Sequence, residues 1–136
     1  LCSLCGDEIG ESIYSFPSAE RILSLGVEGL APIKSGFRAK YIIDAAEKVV
    51  NGEIELEKLK GIDETEARET LKKIKGVGDK VASCVMLFGL GYLGSFPIDV
   101  WVKRVLEKYY PSDFDPKVFG EYAGIAQQYL FFYERG

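Results

Sequence analysis

An all-α chain is predicted by three observations. Apolar residues recur with the helical period in nearly every segment, no segment sustains the alternation of a strand, and glycine or proline interrupts the pattern at short intervals. At 136 residues, 47% of them apolar, the chain suits one domain or a large piece of one, with enough apolar mass for a core. Ser18, after Pro17, is a plausible N-cap for a helix over residues 19–25, and Gly26 and Gly29 punctuate the stretch beyond it. The next helix runs from Ser35 or Gly36 to Val50, with Phe37, Tyr41, Ala45 and Val49 as its apolar stripe. Asn51-Gly52 stops it, and residues 56–59 make one short turn. Asp63 and Glu66 form a capping box ahead of a helix that carries Ala67 and Leu71 inward and ends near Lys73. After a glycine-rich turn, a helix from Asp79 or Lys80 to about Phe88 is expected to turn Val81, Val85 and Phe88 inward. Residues 89–94 connect it to Pro97-Ile98-Asp99, which opens a helix over residues 100–109 that Pro111 stops. Asp115-Pro116 caps the last region, helical from about Tyr122 to Tyr133. No internal repeat is present.

The net charge of −4 argues weakly against a nucleic-acid partner, but the distribution matters more. Lys72, Lys73, Lys75 and Lys80 crowd one short stretch, while acidic residues collect at 7–11 and 53–57. Cys2, Cys5 and Cys84 are too few and too widely spaced for a disulfide framework. Cys2 and Cys5 have the spacing of half a zinc site, but no second pair and no histidine completes it. A reducing, intracellular compartment is therefore expected, the cytoplasm if the source is prokaryotic. No run of 18 apolar residues and no signal-peptide pattern occurs, so neither a membrane-spanning helix nor a membrane partner is expected. Leu1 is not methionine, and Leu1-Cys2-Ser3-Leu4-Cys5 reads like the end of a helix already under way, so further sequence upstream is expected.

Residues 71–85 carry the most chemical information. A helix, the turn Ile74-Lys75-Gly76-Val77-Gly78-Asp79 and a second helix make a helix-hairpin-helix. Two glycines let the backbone reverse and approach an outside partner, with Val77 between them packing the hairpin against its own helices. Free amides and the helix dipole at the start of the second helix suit an anion, and a DNA phosphate is the natural one. The alternative is an ordinary αα-turn in which the glycines serve only as caps.

Together with Gly36-Phe37-Arg38-Ala39-Lys40-Tyr41 upstream and Tyr122-Ala123-Gly124-Ile125-Ala126-Gln127 downstream, the motifs Gly76-Val77-Gly78-Asp79-Lys80-Val81-Ala82 and Pro97-Ile98-Asp99-Val100 resemble the helix-hairpin-helix (HhH-GPD) DNA glycosylase superfamily. Within it the sequence resembles most the 8-oxoguanine DNA glycosylase/AP lyase group. The resemblance implies a multi-helix orthogonal bundle. Residues 1–136 would be the central and C-terminal helical part of the catalytic core, with the hairpin at about residues 64–90 and an upstream segment and N-terminal domain outside the chain. It implies double-stranded DNA containing 8-oxoguanine or abasic sites as the partner of a monomer.

Lys80 falls where the family keeps its nucleophile. A neutral amine can attack the sugar C1′ and remain attached as a Schiff base, and burial and the positive end of a helix would both favour the neutral amine. Asp99 matches the family's catalytic aspartate, a fixed carboxylate for the positive charge that develops as the glycosidic bond breaks. On its own it reads as a helix N-cap, and both readings can hold. Gln127 and Phe131, four apart on one helix face, match the residues that read and stack on the flipped base, and Cys84 matches one packing on its other face. Without the resemblance, Phe131 and Cys84 read as core and Gln127 as a surface residue. Gly76, Val77, Gly78, Phe37, Arg38 and Trp101 fall at DNA-contacting positions. Trp101 stands where a close relative has histidine, and Phe37 where a tyrosine wedges beside the lesion; tryptophan cannot become charged, but phenylalanine can still unstack bases. No cofactor is required, although the hairpin resembles one that holds K+ or Na+ on main-chain carbonyls, here those of Lys72, Ile74 and Val77. The competing readings are a glycosylase of the same superfamily for another damaged or mismatched base, and a non-catalytic DNA-binding hairpin.

Overall fold

The computed structural model describes all 136 residues, and the fold is all-α with one minor β hairpin. Two compact units are present, one comprising Leu1–Glu55 with Ile74–Gly76, the other Leu56–Lys73 with Val77–Gly136. The division falls in the turns at residues 55–56 and inside the helix-hairpin-helix, where the sequence shows turns rather than a linker.

In the first unit a short helix α1 (Cys2–Cys5) leads into antiparallel strands β1 (Glu8–Gly10) and β2 (Ile13–Tyr14), which pair Glu8 with Tyr14 and Gly10 with Ile13. Strands of three and two residues are too short to show alternation, so periodicity does not reveal them. Helix α2 (Ala19–Gly29) starts at Ser18, whose hydroxyl accepts from the Arg21 amide, and its regular part ends at Gly26 with φ +63°. It packs on α3 (Ala39–Val50). The buried face of α3 is Ala39, Asp44 and Ala46, not the expected stripe; Tyr41, Ala45 and Val49 are half-buried and Phe37 is 66% exposed. The reason is local: Gly36–Arg38 form a 3-10 turn, whose tighter winding shifts Phe37 off the α-helical register.

In the second unit α4 (Glu64–Lys72) packs on α5 (Asp79–Gly89), and α6 (Val100–Tyr109) on α7 (Ala123–Arg135). The Asp63 carboxylate accepts from the Thr65 and Glu66 amides at 2.9 and 3.1 Å, as its place before α4 predicts, and Ala67 and Leu71 are buried. The inward face of α5 is Ala82, Ser83, Met86 and Leu87. Val81 and Phe88 are instead exposed and Val85 half-buried. Apolar residues occupy both sides of this helix, so the largest ones do not mark its core face. Small Ala82 and Ser83 do, because they admit a close neighbour: Arg68 of α4 donates to the Ser83 hydroxyl. The connector after α5 is pinned by the Tyr92 hydroxyl, which lies 2.6 Å from the Leu59 carbonyl and 2.9 Å from that of Ile62. Asp115 caps a 3-10 stretch, Pro116–Tyr122, and α7 begins at Ala123. There the Gly124 amide donates to the Leu93 carbonyl at 2.8 Å, and a Cβ at Gly124 would lie 2.8 Å from that oxygen and 2.5 Å from Leu87 Cδ1.

The two hairpin glycines answer to different constraints. Gly76 has φ +81°, and a Cβ there would fall 2.6–2.7 Å from Cγ and Cε2 of the Tyr41 ring. Gly78 has φ −99° and ψ −172°, extended backbone open to any residue, and a Cβ there would meet nothing within 4 Å. Gly76→Ala should therefore cost at least about 2 kcal/mol, from left-handed backbone strain and overlap with the ring. Gly78→Ala should stay within about 0.5 kcal/mol of the parent. Urea unfolding of the two variants measures both, and equal midpoints would contradict the distinction.

Candidate DNA-repair active site

Helix α5 begins at Gly78, which has no side chain to accept from the first-turn amides, so these carry no side-chain cap. Lys80 is the second residue of the helix. One turn later on the same face stands Cys84, and one turn beyond it Phe88. Asp99 is the N-cap of α6: one carboxylate oxygen, Oδ1, accepts from the Trp101 and Val102 amides, each at 2.9 Å. Neither of these bonds uses its second oxygen. From α7 come Gln127 and Phe131, again one turn apart.

These three elements meet at one cleft of about 170 Å³, lined by Lys80, Cys84, Phe88, Pro97, Asp99, Gln127, Gln128 and Phe131. All five residues that the sequence singled out as catalytic or base-contacting are among them. Ligand pockets commonly span roughly 300–1,000 Å³, so a cleft of this size suits a single small flat group. Its walls are mixed: an amine and a carboxylate, a thiol, two amides, and the rings of Phe88 and Phe131.

Individual placements differ from expectation in three ways. Lys80 is exposed, so the burial expected to favour its neutral form is not present in this chain; its position in the first turn of α5 is. Gln127 is only 3% exposed, where the residues alone suggested a surface position. Its side-chain oxygen accepts from the Gln128 amide, which leaves its NH₂ donors for a ligand. Phe88, read as core, is 66% exposed and forms part of the cleft wall. Phe88, Pro97 and Gln128 are the lining residues that sequence reasoning missed. For Phe88 a signal existed, since it falls at the same helical spacing from Cys84 as Cys84 from Lys80.

The other named residues lie elsewhere. Trp101, half-buried on α6, has the Arg104 guanidinium over its ring at 4.8 Å and does not line the cleft. Phe37 and Arg38 belong to the first unit, where the guanidinium sits 5.0 Å above the phenyl ring and Phe37 meets Tyr41 edge-on. Val77 is half-buried. Lys80 also borders a larger cavity, about 350 Å³, lined by Arg68, Ser83, Asp115, Lys117 and others.

The basic stretch is partly neutralised. Lys72 pairs with Asp79 at 3.0 Å and Glu69 at 3.1 Å, and Lys75 with Asp44 at 3.2 Å. The hydrogen bond to Lys72 holds the Asp79 carboxyl below the usual aspartate range, and that bond, then the one to Glu69, raises the Lys72 ammonium. Asp79's share of stability is lost as pH falls through its lowered value, and Lys72's as pH rises through its raised one, so the latch is complete in between. Both groups are exposed enough that the pair contributes little.

The sequence matches the family of HhH-GPD superfamily base excision DNA repair proteins over residues 1–119. The chain belongs to this superfamily. Among relatives, it is 34% identical over 154 aligned residues to a probable N-glycosylase/DNA lyase of Methanothermobacter thermautotrophicus, covering 93% of this chain and 49% of the relative. It is 38% identical over 125 residues to the N-glycosylase/DNA lyase of Saccharomyces cerevisiae, covering 81% and 33%. A solved 8-oxoguanine glycosylase/lyase of Clostridium acetobutylicum, in complex with double-stranded DNA containing cytosine opposite 8-oxoguanine, superposes with a TM-score of 0.87 at 35% identity, covering 98% of this chain and 50% of that one. This HhH-GPD chain thus spans about half the length, or less, of the relatives it matches.

Asp99 offers a direct test of how far its structural duty extends. Asn caps a helix as well as Asp, whereas Ala loses about 1 kcal/mol. Asp99→Asn should unfold at the parent's urea midpoint and Asp99→Ala at a lower one. Equal destabilisation by both would show that the charge, not the cap, holds α6.

Proposed function

We propose that the chain is the DNA-binding and catalytic core of a bifunctional glycosylase/AP lyase that removes 8-oxoguanine from duplex DNA and then cuts the strand. The observation that carries this reading is the single cleft in which an amine, a carboxylate and a base-sized pocket converge. The likeness to the Clostridium enzyme supports the choice of base.

In this reading the amides at the start of α5 bind a phosphate and the extruded base enters the cleft. The neutral Lys80 amine forms a bond to C1′ as the bond from C1′ to the base breaks, and the base leaves with its electron pair and takes up a proton. The second oxygen of Asp99 faces the positive charge that develops on the sugar, held in place by the cap its first oxygen makes. Opening of the sugar ring leaves a Schiff base on Lys80. Loss of a C2′ proton then expels the 3′ phosphate by β-elimination, and water releases the lysine. Gln127 offers its NH₂ donors to the base edge, while Phe131 and Cys84 bracket its faces. Phe37 and Arg38 serve the duplex around the lesion.

The same reading puts K+ or Na+ on the main-chain carbonyls of Lys72, Ile74 and Val77. The donors suit a hard cation: Lys72 ends α4, so its carbonyl is one of the free oxygens at the negative end of that helix. Such an ion would supply positive charge beside a bound phosphate.

Borohydride trapping tests the nucleophile. Lys80→Gln should abolish the covalent adduct and base release while duplex binding largely survives, because amides rather than the lysine hold the phosphate. Continued release of 8-oxoguanine at a near-parental rate would remove Lys80 from the mechanism. The readers of the base are tested separately. Gln127→Ala and Phe131→Ala should each reduce discrimination between 8-oxoguanine and guanine by about tenfold or more, the scale of one lost polar or stacking contact in a closed site. Their effect on cleavage of a preformed abasic site should be much smaller, and equal losses on both substrates would show that neither reads the base.

A further inference from the structure

Beneath the hairpin turn lies a buried carboxylate that the proposed chemistry does not use. Asp44, on α3, is 5% exposed. Ionised side chains are almost never buried so deeply without partners. Here the partners come from the turn: the backbone N–H of Lys75 donates to Asp44 Oδ2 at 2.8 Å, and the Lys75 ammonium lies 3.2 Å from Oδ1. Lys48, one turn along α3, adds a third contact at 3.9 Å. Tyr41 stands one turn before Asp44 on the same helix, and its ring fills the space that any side chain at Gly76 would need. Helix α3 therefore holds two successive turn residues, Lys75 by a charged hydrogen bond and Gly76 by ring contact.

We propose that Asp44 is a positioning residue for DNA binding, its carboxylate fixing the hairpin turn Ile74–Gly76 and so the backbone that leads into the phosphate-binding amides. The role rests on the reading that the hairpin grips DNA. The turn runs directly through Val77 and Gly78 into the uncapped start of α5, so its conformation sets where those amides begin. A side chain without an oxygen acceptor at residue 44 would leave the Lys75 N–H to water, and one without charge would release only the Lys75 ammonium. The carboxyl is held below the usual aspartate range, first by the Lys75 backbone hydrogen bond and then by Lys75 and Lys48, against the opposing effect of burial. Lys75, from the turn, and Lys48, from its own helix, are the charged groups that face it. The charge-dependent part of the hold is therefore complete at neutral pH and is lost as pH falls through that lowered value.

The test uses the full 136-residue chain as parent, Asp44→Ala and Asp44→Asn, with three measurements: hydrogen exchange at the Lys75 amide, affinity for an undamaged duplex, and the maximal single-turnover rate on an abasic duplex. Asp44→Ala should speed Lys75 exchange and weaken duplex binding by about tenfold, the size of one charge-assisted hydrogen bond, with the saturated rate changed by less than about twofold. Asp44→Asn keeps an oxygen acceptor for the Lys75 amide and should restore both protection and affinity. The proposal fails if Asp44→Ala binds duplex as the parent does although the Lys75 amide has become fast. It fails equally if the loss appears in the saturated rate rather than in affinity, or if the asparagine variant protects the amide without restoring binding. Should the alanine variant not fold, Asp44→Asn decides alone: near-parental protection and affinity support the role, and a folded asparagine variant with an unprotected amide and unchanged affinity overturns it. A parent chain that binds no duplex overturns the functional reading and this role with it, whereas a parent that binds beside an insensitive Asp44→Ala overturns this role alone.

Discussion

Gly78 gives α5 no side chain with which to satisfy its own first amides, and from that bare helix start onward Lys80, Cys84 and Phe88 line the cleft of the second unit. Asp63, Asp99 and Asp115 each cap the element they precede. At α5 the corresponding bonds are left for water or an anion, and the residue that leaves them free has no steric need to be glycine. In the proposed function that open backbone is where the phosphate approaches. Lys80 belongs to the same helical turn. Whatever the amides bind is thereby held at a fixed distance from the amine, since both ride on one helix, and Cys84 and Phe88 extend along it into the cleft.

Asp99 and Gln127 show how the remaining groups are kept still without being used up. A lone surface aspartate is free to swing. By committing one oxygen to two backbone amides, Asp99 gains a stable orientation from the helix it caps, and its other oxygen remains available. Gln127 has the same pattern: its oxygen is engaged by Gln128 and its donors are not. Gln127 is 3% exposed and lines the cleft, so packing fixes the orientation in which its side chain meets it.

How much of the fold and the cleft is legible from residues alone depends on whether a signal is local. Caps and breaks are local: Ser18, Asp63, Asp99, Asn51-Gly52 and Gly26 all stand where their side chains or their freedom of φ place them. So are residues repeated at helical spacing, which is why Lys80 pairs with Cys84, and Gln127 with Phe131, on sequence alone. Burial is not local. On α5, apolar residues surround the helix, and only its neighbour α4 decides that Ala82 and Ser83 face in while Phe88 faces out. On α3 the 3-10 turn over Gly36–Arg38 breaks the register that links Phe37 to Tyr41. Asp44 is invisible for a related reason: a carboxylate in an amphipathic helix reads as solvated unless the chain is known to return a backbone amide to it some thirty residues later.

The charge pattern poses a last question, how a chain of net charge −4 would suit the proposed DNA partner at all. The basic stretch does not act as a free patch. Lys72 is tied to Asp79 and Glu69, and Lys75 to Asp44, so both serve the hairpin's own geometry, while Lys73 and Lys80 make no such pair. Asp79 even places a carboxylate in the first turn of α5, where an incoming phosphate would feel it, although the pair with Lys72 offsets much of that repulsion. A protein so arranged could not rely on net attraction to hold the proposed DNA partner. In the proposed function it would rely on directed amide donors at a fixed helix start, which lose their value quickly if the turn before them moves. On that reading the rigidity of residues 74–76 would be part of the affinity.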